Sequence, residues 1–186
     1  MRNLRSTILF SLSLGFLLFH HSLSLRPLDS FEGENIECIL RKASGVYLNG
    51  TYGAKHNSAL KNTVVMTGCN YGFLNHLMNF KCFAERLGIK FIVVALDKKA
   101  HDFIRENTTM YSLYMHYADV TSEPTEFRSQ QFNMITARKK EAVHDVLQLG
   151  YDVLFCDVDV AIIRDPFPYL VWEGVDYVHS LNCICM

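Results

Sequence analysis

Apolar and polar positions fall into alternating blocks along this chain. Thr63–Thr67 (T-V-V-M-T) and Lys90–Leu96 (K-F-I-V-V-A-L) are apolar runs of strand length. Continuous runs of this kind suit strands buried on both faces. Ser112–His116, Val153–Cys156 and Asp176–Ser180 are further strand candidates. Between them, Tyr71–Leu87 repeats Phe73, Leu77, Phe80, Phe83 and Leu87 at helical spacing and stops at Gly88. Ala100–Glu106 reads as a shorter helix, and Gln130–Leu149 as a long one ended by Gly150. Thr121–Arg128 is a polar loop around Pro124. Asp165-Pro166 opens a short helix over Phe167–Val171, with Asp165 as its cap. Strands that alternate with helices predict an α/β fold: a Rossmann-type, mostly parallel sheet with helices on both faces.

The stretch before Thr63 reads differently. Arg2 and Arg5 precede an apolar run, Ile8–Phe19, which is short for a membrane span. Residues 1–25 are therefore expected to be a signal peptide, cleaved near Ser22-Leu23-Ser24, or a signal anchor over Thr7–Leu25. Either form sends the chain into the secretory pathway, and an uncleaved anchor would hold it to the membrane. Two sequons suit that route, at Asn49 and Asn107. Residues 26–62 are polar, with one amphipathic patch at Ile36–Leu40, and read as a stem or linker with little structure. Residues 63–186 then form the one globular domain. The chain stops at Cys183-Ile184-Cys185-Met186, inside apparent structure, as a C-terminally truncated product or fragment would.

Composition narrows the function. The 186 residues are 49% hydrophobic and carry a net charge of −1, enough for a sizeable core. Without a basic run, nothing points to nucleic acid. Six cysteines are too few for a disulfide framework.

The chemistry concentrates in Tyr151–Pro166, Y-D-V-L-F-C-D-V-D-V-A-I-I-R-D-P. Here a buried strand runs into two carboxylates, Asp157 and Asp159, at D-x-D spacing. Ligands of open α/β sheets bind at the carboxyl ends of strands. Two carboxylates there suit a hard divalent cation bridging the phosphates of a nucleotide diphosphate. Asn70 and Asp97 are expected at the same sheet edge, where they would meet a base or ribose or else serve as a turn residue and a helix cap. On the long helix, Ile135, Val143, Val146 and Leu147 lie within about 60° of Phe132 on a helical wheel. Lys139 falls inside that apolar stripe and needs an anionic partner there, or it snorkels to solvent. The helix runs antiparallel to the next strand, so Lys139 points toward the D-x-D turn, to meet a substrate diphosphate or an aspartate that organises the site.

Taken together, V-V-M-T-G-C-N-Y-G-F-L-N-H (64–76), E-R-L-G-I-K-F-I-V-V-A-L-D (85–97), F-R-S-Q-Q-F-N-M-I-T-A-R-K-K (127–140) and L-Q-L-G-Y-D-V-L-F-C-D-V-D-V-A-I-I-R-D-P-F-P (147–168) resemble the nucleotide-diphospho-sugar transferase domain of glycosyltransferase family 77. The resemblance implies a GT-A fold in a type II enzyme of the Golgi or ER. It further implies metal-dependent transfer of a pentose or galactose from a nucleotide sugar, UDP-linked, to a glycan or glycoprotein hydroxyl. Asp157 and Asp159 would hold Mn²⁺ or Mg²⁺ against the donor diphosphate, Asn70 and Asp97 would lie by the nucleoside, and Lys139 near the donor sugar. Gly68-Cys69 departs from the family's more usual F-A pair.

Two rival readings exist. Aspartyl phosphohydrolases also use D-x-D, but with a threonine two residues after the second Asp, where this chain has Ala161. A truncated or non-catalytic relative that only binds is the other.

Overall fold

The computed structural model describes residues 8–11, 31–32, 36–46, 60–115, 120–170 and 175–180. Its centre is a parallel sheet of four strands: β3 (Thr63–Cys69), β4 (Ile92–Ala95), β5 (Tyr111–Met115) and β6 (Asp152–Phe155). β3 pairs in parallel with β4 on one side and β6 on the other, and β5 adds to β4. Three short strands complete it: β1 (Ile8–Ser11), β2 (Phe31–Glu32) and β7 (Tyr177–Ser180), in the order β2-β5-β4-β3-β6-β1-β7. Every residue of β3 and β4 is buried, as their unbroken apolar runs require.

Helices cover both faces. α2 (Leu74–Arg86) and α3 (Lys98–Asn107) pack Leu77, Phe80, Ala84 and Ile104 against Val65, Val93 and Leu154. On the other face, α1 (Ile36–Ala43) and α4 (Gln130–Gln148) pack Leu40, Ile135, Val143 and Val146 against Val64, Met66, Val94 and Phe155. Odd and even positions of β3 thus serve opposite layers. α2 begins with a 3₁₀ turn over Tyr71–Phe73, and Gly88 and Gly150 follow α2 and α4 at φ +65° and +83°, the left-handed geometry that ends a helix. A last short helix, α5 (Phe167–Leu170), starts where Asp165 accepts from Phe167 N at 3.1 Å.

The structure departs from the sequence reading before Thr63. Residues 36–46 are not a loose stem. α1 buries Ile36, Ile39, Leu40 and Ala43 in the core, and Val46 is fully buried. Its eight-residue amphipathic patch is too short to fold alone and takes its stability from the sheet. Ile8–Ser11 pairs in parallel with both β6 and β7, although the same apolar run reads as part of a targeting segment. A strand and a cleaved or membrane-inserted segment are mutually exclusive states of those residues. The rest of the targeting segment, Asn49 and Cys183–Met186 lie outside the described residues. Among the described residues, no helix is long and apolar enough to cross a membrane.

Candidate functional site

The chain runs β3, β4, β5 outward in one direction, then returns through α4 to place β6 on the other side of β3. The strand order therefore reverses between β3 and β6, and the crevice at their carboxyl ends is where an α/β sheet binds its ligand. The D-x-D residues lie there. β6 ends at Phe155, Cys156 N donates to Met66 O, and a turn follows in which Val160 N donates to Asp157 O at 3.1 Å. Val158 is tucked inward at 5% exposure, which leaves Asp157 half-buried and Asp159 exposed on either side of it.

Lys139 meets this turn. Its Nζ lies 2.8 Å from Asp157 Oδ1, with the two side chains 17% and 28% exposed. Its stem crosses β3 at Gly68, where a methyl group would fall 3.2 Å from Lys139 Cγ. Gly68 lies on the α4 face with Val64 and Met66, four and two residues before it. The lysine in the apolar stripe is thus an ammonium led through the core layer to a carboxylate, and Asp157 keeps its second oxygen for other partners.

Asn70 and Asp97 stand together at the ends of β3 and β4, with internal partners. Asp97 Oδ2 accepts from Tyr71 N at 2.7 Å, and Oδ1 accepts from Ala100 N at 3.1 Å and Ser122 Oγ at 2.8 Å. The second of these bonds makes it the N-cap of α3. Asn70 is fully buried and donates both amide hydrogens, to Thr121 O at 2.6 Å and Glu123 O at 2.8 Å. Its Oδ1 has no hydrogen-bond partner among the described residues. These two side chains strap the loop before α4 onto the sheet edge. Gly72 completes the strap, because a methyl group there would lie 2.4 Å from Pro124 N and 2.6 Å from Glu123 C. Beside it, Lys99 Nζ sits 3.9 Å over the half-buried Tyr71 ring. Sequence reasoning missed Gly68, Gly72 and Ser122. The two glycines in T-G-C-N-Y-G-F were the available signal, since neither adopts a positive φ and each gives room to a neighbour.

Two thiols flank the crevice. Burial pushes Cys69 up to about 12, with Lys139 pulling it down and Asp97 adding to the rise. Burial, then Asp157, pushes Cys156 up to about 12. A thiol so raised stays protonated at neutral pH, as suits a side chain that packs against the core. Beyond the turn opens an apolar hollow of about 420 Å³ lined by Cys156, Ile162, Ile163, Tyr169, Val178 and His179.

The nucleotide-diphospho-sugar transferase family matches residues 89–184, from just before β4 to past β7. The chain belongs to this family. Three curated relatives are glycosyltransferases by name. A β-arabinofuranosyltransferase of Arabidopsis thaliana is 33% identical over 58% of this chain and 20% of its own length. A UDP-D-xylose:L-fucose α-1,3-D-xylosyltransferase of the same plant is 30% identical over 60% of this chain and 30% of its own. A UDP-galactose:fucoside α-3-galactosyltransferase of Dictyostelium discoideum is 30% identical over 58% and 20%. The chain therefore matches 20–30% of the length of these transferases. No solved structure matches.

The donor set at the D-x-D turn fits a hard cation. Among the described residues no third His, Cys, Asp or Glu joins Asp157 and Asp159 to form a closed cage. A cation held by one or two carboxylates and completed by substrate phosphates needs no more than this.

Proposed function

We propose that this chain is the donor-binding part of a metal-dependent glycosyltransferase that moves a pentose or galactose from a UDP-sugar to a glycan or glycoprotein hydroxyl. The observation that carries the reading is the D-x-D turn at the sheet's reversal point, with Lys139 drawn to Asp157. Asp157 and Asp159 would hold Mn²⁺ or Mg²⁺, which supplies Lewis-acid neutralisation of the departing diphosphate. Lys139 adds a fixed positive charge beside that position, already oriented before donor arrives. Asn70 and Asp97 act by shaping the strap, and the nucleoside then lies against Tyr71, Lys99 and the loop rather than against the two buried side chains. Protein groups otherwise orient the acceptor hydroxyl and keep water from the donor.

The relatives' names support the donor class: xylose, galactose and arabinofuranose are the sugars they carry. The N-terminal basic-apolar pattern and the sequons support a lumenal enzyme of the Golgi or ER, anchored if the segment is uncleaved; in either case Ile8–Ser11 would serve targeting in place of the β1 pairing. The test is calorimetric titration of the folded chain with UDP, UDP-xylose, UDP-galactose and UDP-arabinofuranose, with Mn²⁺ and with EDTA. Cation-dependent binding of UDP and at least one UDP-sugar is expected. Equal affinity with and without metal, or none, would remove the proposal.

A further inference from the structure

We infer that Gly68 is a positioning residue: its missing side chain is what allows Lys139 to reach Asp157. Its relevance to donor binding rests on the function proposed above. The steric part stands on the geometry alone.

Gly68 lies inside β3, paired with Val94 of β4, in a strand whose every residue is buried. Its backbone is not in the left-handed region, so the conformation does not call for glycine. A glycine inside a strand weakens it and usually marks a close approach by something else. Here that neighbour is the Lys139 stem, with Cγ at 3.2 Å and Cδ at 3.8 Å from where a methyl would stand. The methyl would also lie 3.7 Å from Val94 O, an ordinary contact, so the crowding comes from Lys139.

The rest of the stripe shows what the gap is for. Ile135, Ala142, Val143 and Val146 of α4 end inside the apolar layer. Lys139 alone must cross that layer and deliver its ammonium to the D-x-D turn. A side chain at position 68 would lift the stem off β3 and move Nζ from its 2.8 Å contact with Asp157 Oδ1. Asp157 would then lose the bond that fixes which of its oxygens faces outward. Loss of such an orienting partner behind a metal ligand commonly weakens metal binding by about 10–100-fold.

The two lysine truncations separate stem from charge. Lys139→Met keeps an unbranched stem without the ammonium, whereas Lys139→Ala removes both. Gly68→Ala and Gly68→Val are made in the full chain alone and in each lysine background. Thermal midpoint and UDP affinity with Mn²⁺ are read for all of them. Gly68→Val is expected to lower the midpoint in the wild-type and Lys139→Met backgrounds and to leave it unchanged or raise it in Lys139→Ala. Gly68→Ala should follow the same pattern more weakly. In the wild-type background Gly68→Val should also weaken UDP binding about tenfold or more. In Lys139→Ala, where the ammonium is already gone, it should weaken UDP binding no further. An equal fall in midpoint in all three backgrounds would overturn the proposal, since the crowding would then lie elsewhere. Full UDP affinity in a folded Gly68→Val chain would overturn it as well. If the wild-type chain binds no UDP, the donor reading fails, while the midpoint series still decides whether Gly68 makes room for Lys139.

Discussion

The Lys139 ammonium and the Asp157 carboxylate meet at 2.8 Å from opposite layers, one reaching down from α4 and the other standing at the end of β6. An exposed pair of this kind contributes about 0–1 kcal/mol. This one is mostly shielded, yet Asp157 retains enough contact with water to rehydrate alone. Lys139→Met is therefore expected to change stability by no more than about 1 kcal/mol. The same substitution should cost donor affinity about 2 kcal/mol or more, as losing one member of a charged contact does. Denaturant titration and calorimetry measure the two. Undiminished donor affinity would withdraw Lys139 from the site.

The carboxylates give a second expectation. Asp157→Asn and Asp159→Asn should each abolish the Mn²⁺-dependent part of UDP binding and leave the circular dichroism spectrum unchanged, because Asp157 is half-buried and Asp159 exposed. Metal-enhanced binding that survives in the double variant would mean the cation is held elsewhere.

The strap at the β3 and β4 ends is a stability feature. Asp97→Ala deprives Tyr71 N, Ala100 N and Ser122 Oγ of their acceptor in a site 5% exposed. With a helix cap at about 1 kcal/mol and the two other bonds to a charged group at about 1.5 or more each, a loss of about 4 kcal/mol or more is expected. Gly72→Ala, whose methyl meets backbone rather than a pliable side chain, should cost about 1–3 kcal/mol. It should also speed proteolysis in residues 120–125. A neutral Gly72→Ala would show that the loop is not held there.

The thiols predict a labelling order. Cys69 and Cys156 stay protonated until about pH 12, and both are buried, whereas Cys82 is exposed. Iodoacetamide at pH 8 should modify Cys82 in the folded chain and reach Cys69 and Cys156 only after denaturation. Mass spectrometry of the digested protein reads this directly.

A lumenal chain should carry glycan. Asn107 closes α3 in an exposed position and Thr109 of its sequon is also exposed. Protein from secretory cells should shift on glycosidase treatment, and Asn107→Gln should remove the part of that shift due to this site. An unchanged mobility in the untreated and treated wild type would count against the secretory route.

Much of this architecture was legible because the strands are buried on both faces. T-V-V-M-T and I-V-V-A have no other use for such runs, and the helical spacing around Phe80 and Val143 told which faces meet them. Lys139 was legible for the same reason: a charge in an apolar stripe has to lead somewhere. The cap at Asp97 was among the readings, but the bonds that tie Asn70 and Asp97 to the loop before α4 were not. A carboxylate at a strand end looks the same in sequence whether it faces a ligand or ties down Ser122, a residue 25 positions away. Long-range bonds leave no local periodicity. α1 was passed over because its patch is a single turn or two, and only the sheet beneath it explains why it folds.

The pairing of β3 with β6 sets the order of assembly. Thr63 pairs with Asp152 and Met66 with Phe155, so this edge of β3 waits for a partner until some ninety further residues have left the ribosome. Local helices form in microseconds, while parallel pairings across such a separation are slow. During that interval β3 presents a row of unpaired backbone N–H and C=O groups to its surroundings, the kind of template on which foreign strands aggregate. The crevice that would receive the donor cannot form before β6 arrives, and until then the nascent chain is exposed at the seam where that crevice later forms.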